Sequence, residues 1–455
     1  MANPDVAAGP IYRSLRRHVL SNPDKPALRQ DETTLTYAQL LAEVDARACS
    51  AQRKARESWS IVGADDKLEF ALSYLTAAKL NAPLVVAGQA KLTDTMVERL
   101  ERNLPEVLAM RLGGPEVMFT SGSSAQPKAV LLDGHEMFRK AEHINAFVGN
   151  RPDTVEVLCL PLVHSFGLGR FRCAIANGQS IVLQKGLGSA GQLEQALERP
   201  NVGLGLVSSM VKVLLSRYTS LLRENSSNIA YLEIGSEPLE AEYRQQVVRL
   251  LPRTRLCLHY GMTELSRAAM VDLRRNPASA TIGSAMPDTE IGIDDGAGGV
   301  HAMGNGEIAL RGAAMLRAYI DDDGMRQMAP GMWLRTGDRG RIDEAGQVTI
   351  SGRLSNILKI HGENVVPEET ERVIRRLDSV IDCVCVRKEL LPGVYILAAL
   401  IETDGVQVPD QVELHDYLQR NLPAHQVPRR FVYTSELPRL ANGKIDRRLA
   451  AETAE

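Results

Sequence analysis

Small hydroxylated residues crowd one glycine in the stretch Phe119-Thr-Ser-Gly-Ser-Ser-Ala-Gln-Pro-Lys-Ala129, and a single lysine, Lys128, stands at its far end. Backbone N–H groups and the hydroxyls of Thr120, Ser121 and Ser123 around Gly122 would line a concave turn with a point cation closing it. That is how a chain wraps an oligophosphate. A solvated Ser/Gly linker has a similar composition. Here, however, apolar runs flank the stretch, Val117-Met-Phe119 before it and Val130-Leu-Leu132 after it. The nucleoside-triphosphatase pattern G-x-x-x-x-G-K-[ST] fits poorly, because no Gly-Lys-Ser/Thr follows.

Further clusters could do related chemistry. In Leu258-His-Tyr260-Gly261-Met-Thr263-Glu264 an aromatic ring can stack on a purine, a hydroxyl can bond a phosphate, and Glu264 can hold Mg²⁺. A core tyrosine followed by a Thr-Glu helix cap would explain the same residues without a ligand. Tyr231-Leu-Glu-Ile-Gly235-Ser236-Glu237-Pro238 has the same strand-then-small-residue shape and would make a second nucleotide wall. In Thr336-Gly337-Asp338 a carboxylate could accept both hydroxyls of a ribose, with Arg353 close behind as another donor. An ordinary turn aspartate is the alternative. Near the C-terminus, Asn442-Gly443 makes a tight turn that projects Lys444, which on composition alone is a surface lysine.

Strands and helices must position these groups. The pattern predicts helices from Ile11 to Leu20 and from Tyr37, with a hairpin between them, and a βαβ unit over 59–87. Strand and helix patterns then alternate. Strands are expected at 155–161, 180–183, 202–207, 229–234 and 255–259, and helices at 167–176, 210–222 and 240–251. Such alternation calls for a largely parallel sheet with helices on both faces and ligands in loops at the strands' carboxyl ends. Gly122 and Gly261 are both expected in such loops. After Gly283 short strands and Gly/Asp turns indicate a small β-rich subdomain. A separate C-terminal domain is expected from Arg353, with a strand pair around His361-Gly362, a helix opening on Pro367-Glu-Glu, two strands, a helix and a last strand.

Composition limits what the chain can be. At 455 residues it is too long for one ordinary core, so two or three domains are expected. A net charge of −3, with no basic stripe carrying interleaved aromatics, argues against nucleic-acid binding. No run is long enough to span a membrane, and the N-terminus lacks a signal-peptide apolar core. The six cysteines (Cys49, Cys159, Cys173, Cys257, Cys383, Cys385) form no CxxC pair, the usage of a reducing, cytoplasmic protein without structural zinc.

Taken in order, the clusters resemble those of the adenylate-forming (acyl-/aryl-CoA synthetase, AMP-binding) superfamily. The phosphate loop [ST]-[ST]-G-[ST]-[ST]-G-x-P-K-G comes first. P-L-x-H, G-[SG]-x-P-L, Y-G-x-T-E, G-E-[IL]…R-G, T-G-D, G-R-x-x-x-x-[IL]-K-x-x-G and L-P-x-x-x-x-G-K follow, all across residues 119–447. The loop departs at two family glycines, here Ala125 and Ala129, where a positive φ would cost roughly 1–2 kcal/mol.

The resemblance implies an α/β fold: a large N-terminal domain with mixed or parallel sheets and a small β-rich subdomain, plus a smaller mobile α+β C-terminal domain. It implies an ATP- and acid-binding N-terminal domain over 1–352, with a shortened N-terminal region, and a C-terminal lid over 353–455. Thr120, Ser121, Gly122, Ser123 and Lys128 would hold the β- and γ-phosphates of ATP. Gly235, Ser236, Glu237, Tyr260 and Gly261 would frame adenine, Thr263 would meet the α-phosphate, and Glu264 would hold Mg²⁺. Asp338 and Arg353 would take the ribose, while Lys359 and Gly362 match the hinge motif. Lys444 would bridge the substrate carboxylate and the α-phosphate. His164, in Pro161-Leu-Val-His164-Ser-Phe-Gly, would stand between an acyl pocket and a thiol channel. The hinge residue would be Ser355, where relatives usually carry Asp or Lys, and Asn356 replaces a common acid.

Three functions follow from the resemblance. The first is a ligase that activates a small aryl or aliphatic carboxylic acid with ATP and Mg²⁺ and passes it to CoA. The second is a stand-alone adenylation enzyme that loads a carrier protein's phosphopantetheine. The third is a catalytically weak nucleotide- or adenylate-binding relative with a regulatory role. Members that activate α-amino acids carry Asp directly after the position matching His164. Ser165 stands there instead, which disfavours a free amino acid. The resemblance leaves room for a homodimer and gives no reason to expect a nucleic-acid partner.

Overall fold

A computed structural model describes residues 8–51, 58–63, 66–87, 92–120, 128–360, 363–391, 394–439 and 445–454. Ser121, Gly122, Ser123, Ala125, Gly362 and Lys444 therefore lie outside the described residues. The chain divides into two compact units, residues 1–291 with 310–334, and residues 292–309 with 335–455. The segment 353–455 lies wholly within the second unit. The second unit takes in part of the β-rich region because its strand Val348–Arg353 carries contacts to the helix that follows: Arg372 donates to the Ser351 carbonyl, and Asn356 to Glu368.

The first unit opens with helix α1 (Pro10–Ser21), strands β1 (Pro26–Gln30) and β2 (Thr33–Thr36), and helix α2 (Tyr37–Ala51). The expected βαβ step is β3 (Ser60–Val62), α3 (Lys67–Leu80) and β4 (Leu84–Val86), with parallel pairing of its strands. Helix α4 (Asp94–Ala109) leads to β5 (Pro115–Thr120), β6 (Lys128–Asp133) and helix α5 (Gly134–Val148). Then come β7 (Val155–Leu158), α6 (Ser165–Ala176), β8 (Ser180–Leu183), α7 (Ala190–Leu197), β9 (Val202–Val207), α8 (Ser208–Arg217) and α9 (Thr219–Glu224). The run closes with β10 (Ile229–Gly235), α10 (Ala241–Leu250), β11 (Arg255–Met262), β12 (Ser266–Asp272) and β13 (Ser284–Ala285). The single helix expected over 210–222 is two, broken at Tyr218, whose φ/ψ of −125°/23° is not helical.

Nine strands form one sheet in the order β13-β12-β11-β10-β9-β7-β8-β1-β2. Pairing is parallel from β11 through β1 and antiparallel only at the edges, as the alternation requires. Its apolar layer packs Leu204, Leu206, Leu232, Ile234 and Leu258 against Leu193, Val211, Leu214 and Val247 of the covering helices. Burial of each such side chain contributes about 1.5–3 kcal/mol.

In the second unit β14 (Thr289–Asp294), β15 (Val300–His301), β16 (Gly304–Gly312), β19 (Leu334–Ile342) and β20 (Val348–Arg353) make a five-stranded sheet, several of whose strands begin or end in the first unit. Between them in sequence, β17 (Ala318–Asp321) and β18 (Gly324–Gln327) join the first unit's six-stranded sheet, β18-β17-β6-β5-β4-β3. The second unit ends with the hairpin β21–β22 (Leu358–Ile360, Glu363–Val365), helix α11 (Pro367–Ile374), strands β23 (Asp382–Leu391) and β24 (Val394–Glu402), helix α12 (Gln411–Asn421), strand β25 (Arg430–Thr434) and helix α13 (Arg447–Thr453). Among the described residues no helix is long and apolar enough to cross a membrane.

Candidate active site

The phosphate-loop stretch closes a hairpin. Strands β5 and β6 pair antiparallel with Thr120 opposite Lys128, so the seven residues between them connect neighbouring strands of one sheet. Ala129, where relatives carry glycine, sits inside β6 opposite Phe119 and Ile320. It is not among the residues with positive φ, so the missing glycine carries no backbone strain. Lys128 is exposed, its ammonium 5.9 Å from the centroid of Tyr319 on β17. The Tyr319 hydroxyl donates to Glu264 at 3.1 Å. Burial, with the Glu264 charge beside it, pushes that phenol well above its usual pKa and keeps it a donor. Tyr319 thus links Lys128 to Glu264, two residues far apart in sequence. No sequence pattern singled it out.

Tyr260 and Gly261 do not end a strand. Strand β11 runs on through Met262 and pairs with β12, with an irregularity between Tyr260 and Gly261, so the loop expected at Gly261 is a strand. Antiparallel pairing with β12 extends the ladder past the parallel portion. Gly235 and Ser236 do fall at the carboxyl end of β10, Ser236 with φ 75°. Gly235 is obligatory for packing, since a Cβ there would fall 2.1 Å from a carbon of the His259 ring. Gly235→Ala is expected to lower stability by about 1–3 kcal/mol, the cost of overpacking, read as a drop in Tm on thermal unfolding. An unchanged Tm would mean that the ring moves aside freely.

His164 occupies the N-cap of α6 in extended conformation, is exposed, and makes no side-chain cap bond. Behind it lies a charged cluster that the sequence reading missed. Arg170 on α6 donates to both oxygens of Glu156 on β7, at 3.1 and 2.7 Å, and to Glu233 on β10 at 2.9 Å. Tyr231 bonds Arg170 and Glu156. Arg267 Nε donates to Glu233 at 3.0 Å, and His259 Nδ1 lies 2.8 Å from the same carboxylate. Arg170, Glu156 and Glu233 have no side-chain exposure, and Arg267 has 1%. Burial opposes ionisation of Glu233, but Arg267, His259 and Arg170 outweigh it and hold its pKa well below the carboxylate range. Burial pushes His259 below its usual value, against the pull of Glu233.

The cluster adjoins three of the proposed site segments on the nine-stranded sheet. Glu233 precedes Gly235 by two residues, and His259 precedes Tyr260. Phe166, two residues after His164, meets the His259 ring edge-on at 4.5 Å, lies 4.8 Å from the Arg267 guanidinium, and accepts from it through its carbonyl at 3.4 Å. Lys67 adds a further anchor, donating to the carbonyls of Leu158, Cys159 and Gln184 just before the segment Pro161–His164. Burial lowers its pKa to about 8.

The remaining candidates sit in the second unit. Asp338 on β19 faces Arg353 on β20, and they pair at 2.7 Å between Oδ1 and Nε. The Thr336 hydroxyl accepts the Asp338 N–H at 3.0 Å and donates to the Ile308 carbonyl at 2.9 Å. Gly337 takes φ 74°, which a side chain would strain. Lys359 is exposed on β21. Ser355 lies in the short turn Leu354–Asn356 after Arg353. The flanks of Lys444 are held by an Arg439–Ile445 bridge and by Arg447, which pairs with the buried Glu371 at 2.8 Å. Among the described residues no group of three or more metal-ligating side chains converges.

Known proteins are similar to this chain in sequence and in fold. The family described as AMP-binding enzyme matches residues 116–320. The chain is 23% identical to the D-alanine–D-alanyl carrier protein ligase of Bacillus licheniformis, over 97% of this chain and 99% of that protein. It is 28% identical to the 2-succinylbenzoate–CoA ligase of Bacillus pumilus, over 73% of this chain and 67% of that protein. Its fold is similar to that of the O-succinylbenzoate coenzyme A synthetase of Bacillus subtilis, solved with ATP and magnesium ion. The TM-score is 0.79 at 20% identity, covering 96% of this chain and 98% of that one.

Proposed function

Because this chain belongs to the adenylate-forming superfamily of AMP-binding acid–thiol ligases, we propose that it activates a small carboxylic acid as an acyl-adenylate, releases pyrophosphate, and transfers the acyl group to the thiol of CoA. The observation that carries this reading is the convergence of Lys128, Tyr319 and Glu264 at the base of the phosphate-loop hairpin. A cation and a carboxylate are there held by one aromatic residue.

Charge sets the roles. A carboxylate attacking the α-phosphate brings anions together, so the chain must supply positive charge where more negative charge develops. Lys128 serves the β- and γ-phosphates together with Thr120, Ser121, Gly122 and Ser123. Lys444 serves the α-phosphate and the incoming carboxylate. Thr263 donates to the α-phosphate, and Asp338 accepts from the ribose with Arg353 as its ion-pair partner. Bound Mg²⁺ would supply further neutralisation of the phosphates at Glu264. Gly235, Ser236, Glu237, Tyr260 and Gly261 frame the base, and His164 borders the thiol's approach. Between the two half-reactions the C-terminal domain turns at Ser355, within the motif that Lys359 and Gly362 complete.

A second acceptor, carrier-protein phosphopantetheine, is favoured by the near full-length similarity to a D-alanyl carrier protein ligase. Ser165, the first residue of α6, speaks against D-alanine itself, because no carboxylate stands there to meet an ammonium group. The test is acid-dependent ATP–pyrophosphate exchange over a panel of aryl, fatty and amino acids, followed by CoA or a pantetheinylated carrier as acceptor. Exchange with an aryl or aliphatic acid, and thioester formation with CoA, are expected. No exchange with any acid would overturn the reading and leave a nucleotide-binding regulatory protein.

A further inference from the structure

The first unit has a cavity of about 340 Å³ lined by none of the residues assigned above. Ligand pockets generally start at roughly 300 Å³. Its wall is built from Ala8 and the start of α1, the ends of α3 and α4, the start of β5 and the start of α5. Arg13, Arg111 and His135 line it, and no acidic residue does. The carboxylates nearest in sequence are already engaged: Asp133 by Arg317, Glu136 by Arg139, and Glu106 by Gln327.

The cations are held in different ways. Arg13 donates to the Ala8 carbonyl at 2.9 Å and lies 3.2 Å from His135 Nε2, which fixes its guanidinium at the rim. The Arg111 side chain is exposed and makes no hydrogen bond or ion pair among the described residues. Its backbone adopts φ 53° just past α4, in the left-handed region where helices commonly end on glycine. An arginine at that conformation holds backbone strain, and strain of this kind points toward a binding role. Pro83, Val107, Leu108, Leu112 and Pro115 supply the apolar part of the lining.

We propose that this pocket binds a compact organic oxyanion, a carboxylate or phosphate carried on a short apolar group, at a site separate from the catalytic one. Separation follows from β5: Pro115 lies in the pocket wall and Thr120 opens the phosphate-loop stretch. Five residues of strand at about 3.4 Å each put the two roughly 17 Å apart, at opposite ends of one sheet.

Titration calorimetry of the full chain with benzoate, phenyl phosphate and inorganic phosphate tests this. Benzoate or phenyl phosphate is expected to bind more tightly than inorganic phosphate, and the preferred one of the pair identifies the ligand as a carboxylate or a phosphate. Arg111→Ala and Arg13→Ala should each weaken that binding at least tenfold. Arg111→Lys should restore part of it, with an unchanged thermal unfolding profile in the Arg111 variants. Absence of binding, equal affinity in the variants, or displacement of the probe by AMP would overturn the proposal. Much tighter binding after deletion of residues 1–7 would also overturn it, by giving the pocket to the chain's own N-terminal segment.

Discussion

Lys444→Ala is expected to lower acid-dependent ATP–pyrophosphate exchange by roughly 10²–10³-fold, the scale seen when one donor to developing oxyanion charge is removed. Thioester formation from supplied acyl-adenylate should remain close to that of the parent chain. The asymmetry follows from the charge balance. Adenylate formation gathers a carboxylate and a triphosphate, and one cation must meet both. Thiolysis of the finished anhydride releases AMP and builds no comparable charge at the α-phosphate. The described residues on either side of Lys444 are tied down: Arg439 and Ile445 bridge to each other, and Arg447 pairs with the buried Glu371. Removing the side chain should therefore leave the second unit folded, which its Tm checks. Equal loss in both half-reactions would contradict the two-step account, while leaving nucleotide binding itself intact.

The parallel sheet could be read from the sequence because its strands are short apolar runs separated by helices of the right period. Helices α4, α5, α7 and α13 escaped that reading, the first two for identifiable physical reasons. In α4 the burial of Leu100, Leu104 and Val107 has helical spacing, but Pro105 sits inside the helix on its exposed side. There it removes one N–H without disturbing the packed face. In α5 the apolar stripe is interrupted by Lys140, which is buried and donates to the Thr289 hydroxyl at 2.6 Å. Burial lowers its pKa to about 8. A lysine reads as a solvent-facing residue unless its partner, here more than a hundred positions away, is known. Among the proposed site residues the linear motifs were visible and the neighbours that support them were not. Tyr319 and Arg267 gain their significance only through contacts across the fold. One signal was available: Gly203 and Gly205 alternate along β9, so one face of that strand has no side chains there. A Cβ at 203 would fall 2.3 Å from the Tyr231 ring, and one at 205 would fall 2.9 Å from Arg170 Cγ. Two glycines on one strand face announce a large neighbour.

Glu233→Gln is expected to cost about 3–5 kcal/mol, because it keeps the shape but takes a negative charge from two buried guanidinium groups. A domain commonly has only about 5–15 kcal/mol in hand, so urea unfolding at pH 7 should show the loss directly. The parent chain should also weaken in acid through two windows. His259 has a lowered folded pKa, so the unfolded chain takes up its proton first and stability declines as pH falls below the usual 6.5. Glu233 has a depressed pKa, so its contribution is present above the usual 4.5 and lost as pH falls through the folded value. In Glu233→Gln the lower window should shrink, since the titrating group is gone. Parent-like stability and an unchanged acid profile would show that the cluster contributes nothing. The same substitution should reduce exchange even where the protein is still folded. Arg170 and Arg172 stand two apart on α6, roughly 200° around its axis. The first holds Glu156 and Glu233 of the nine-stranded sheet; the second holds Glu116 of the six-stranded sheet and Tyr74 of α3. His164 stands at the N-cap of a helix tethered to both sheets, Gly235 ends β10 two residues past Glu233, and Tyr260 follows His259 within β11. Loosening Glu233 therefore frees three segments proposed to meet the substrate, and the defect should appear in kcat as well as in KM for ATP.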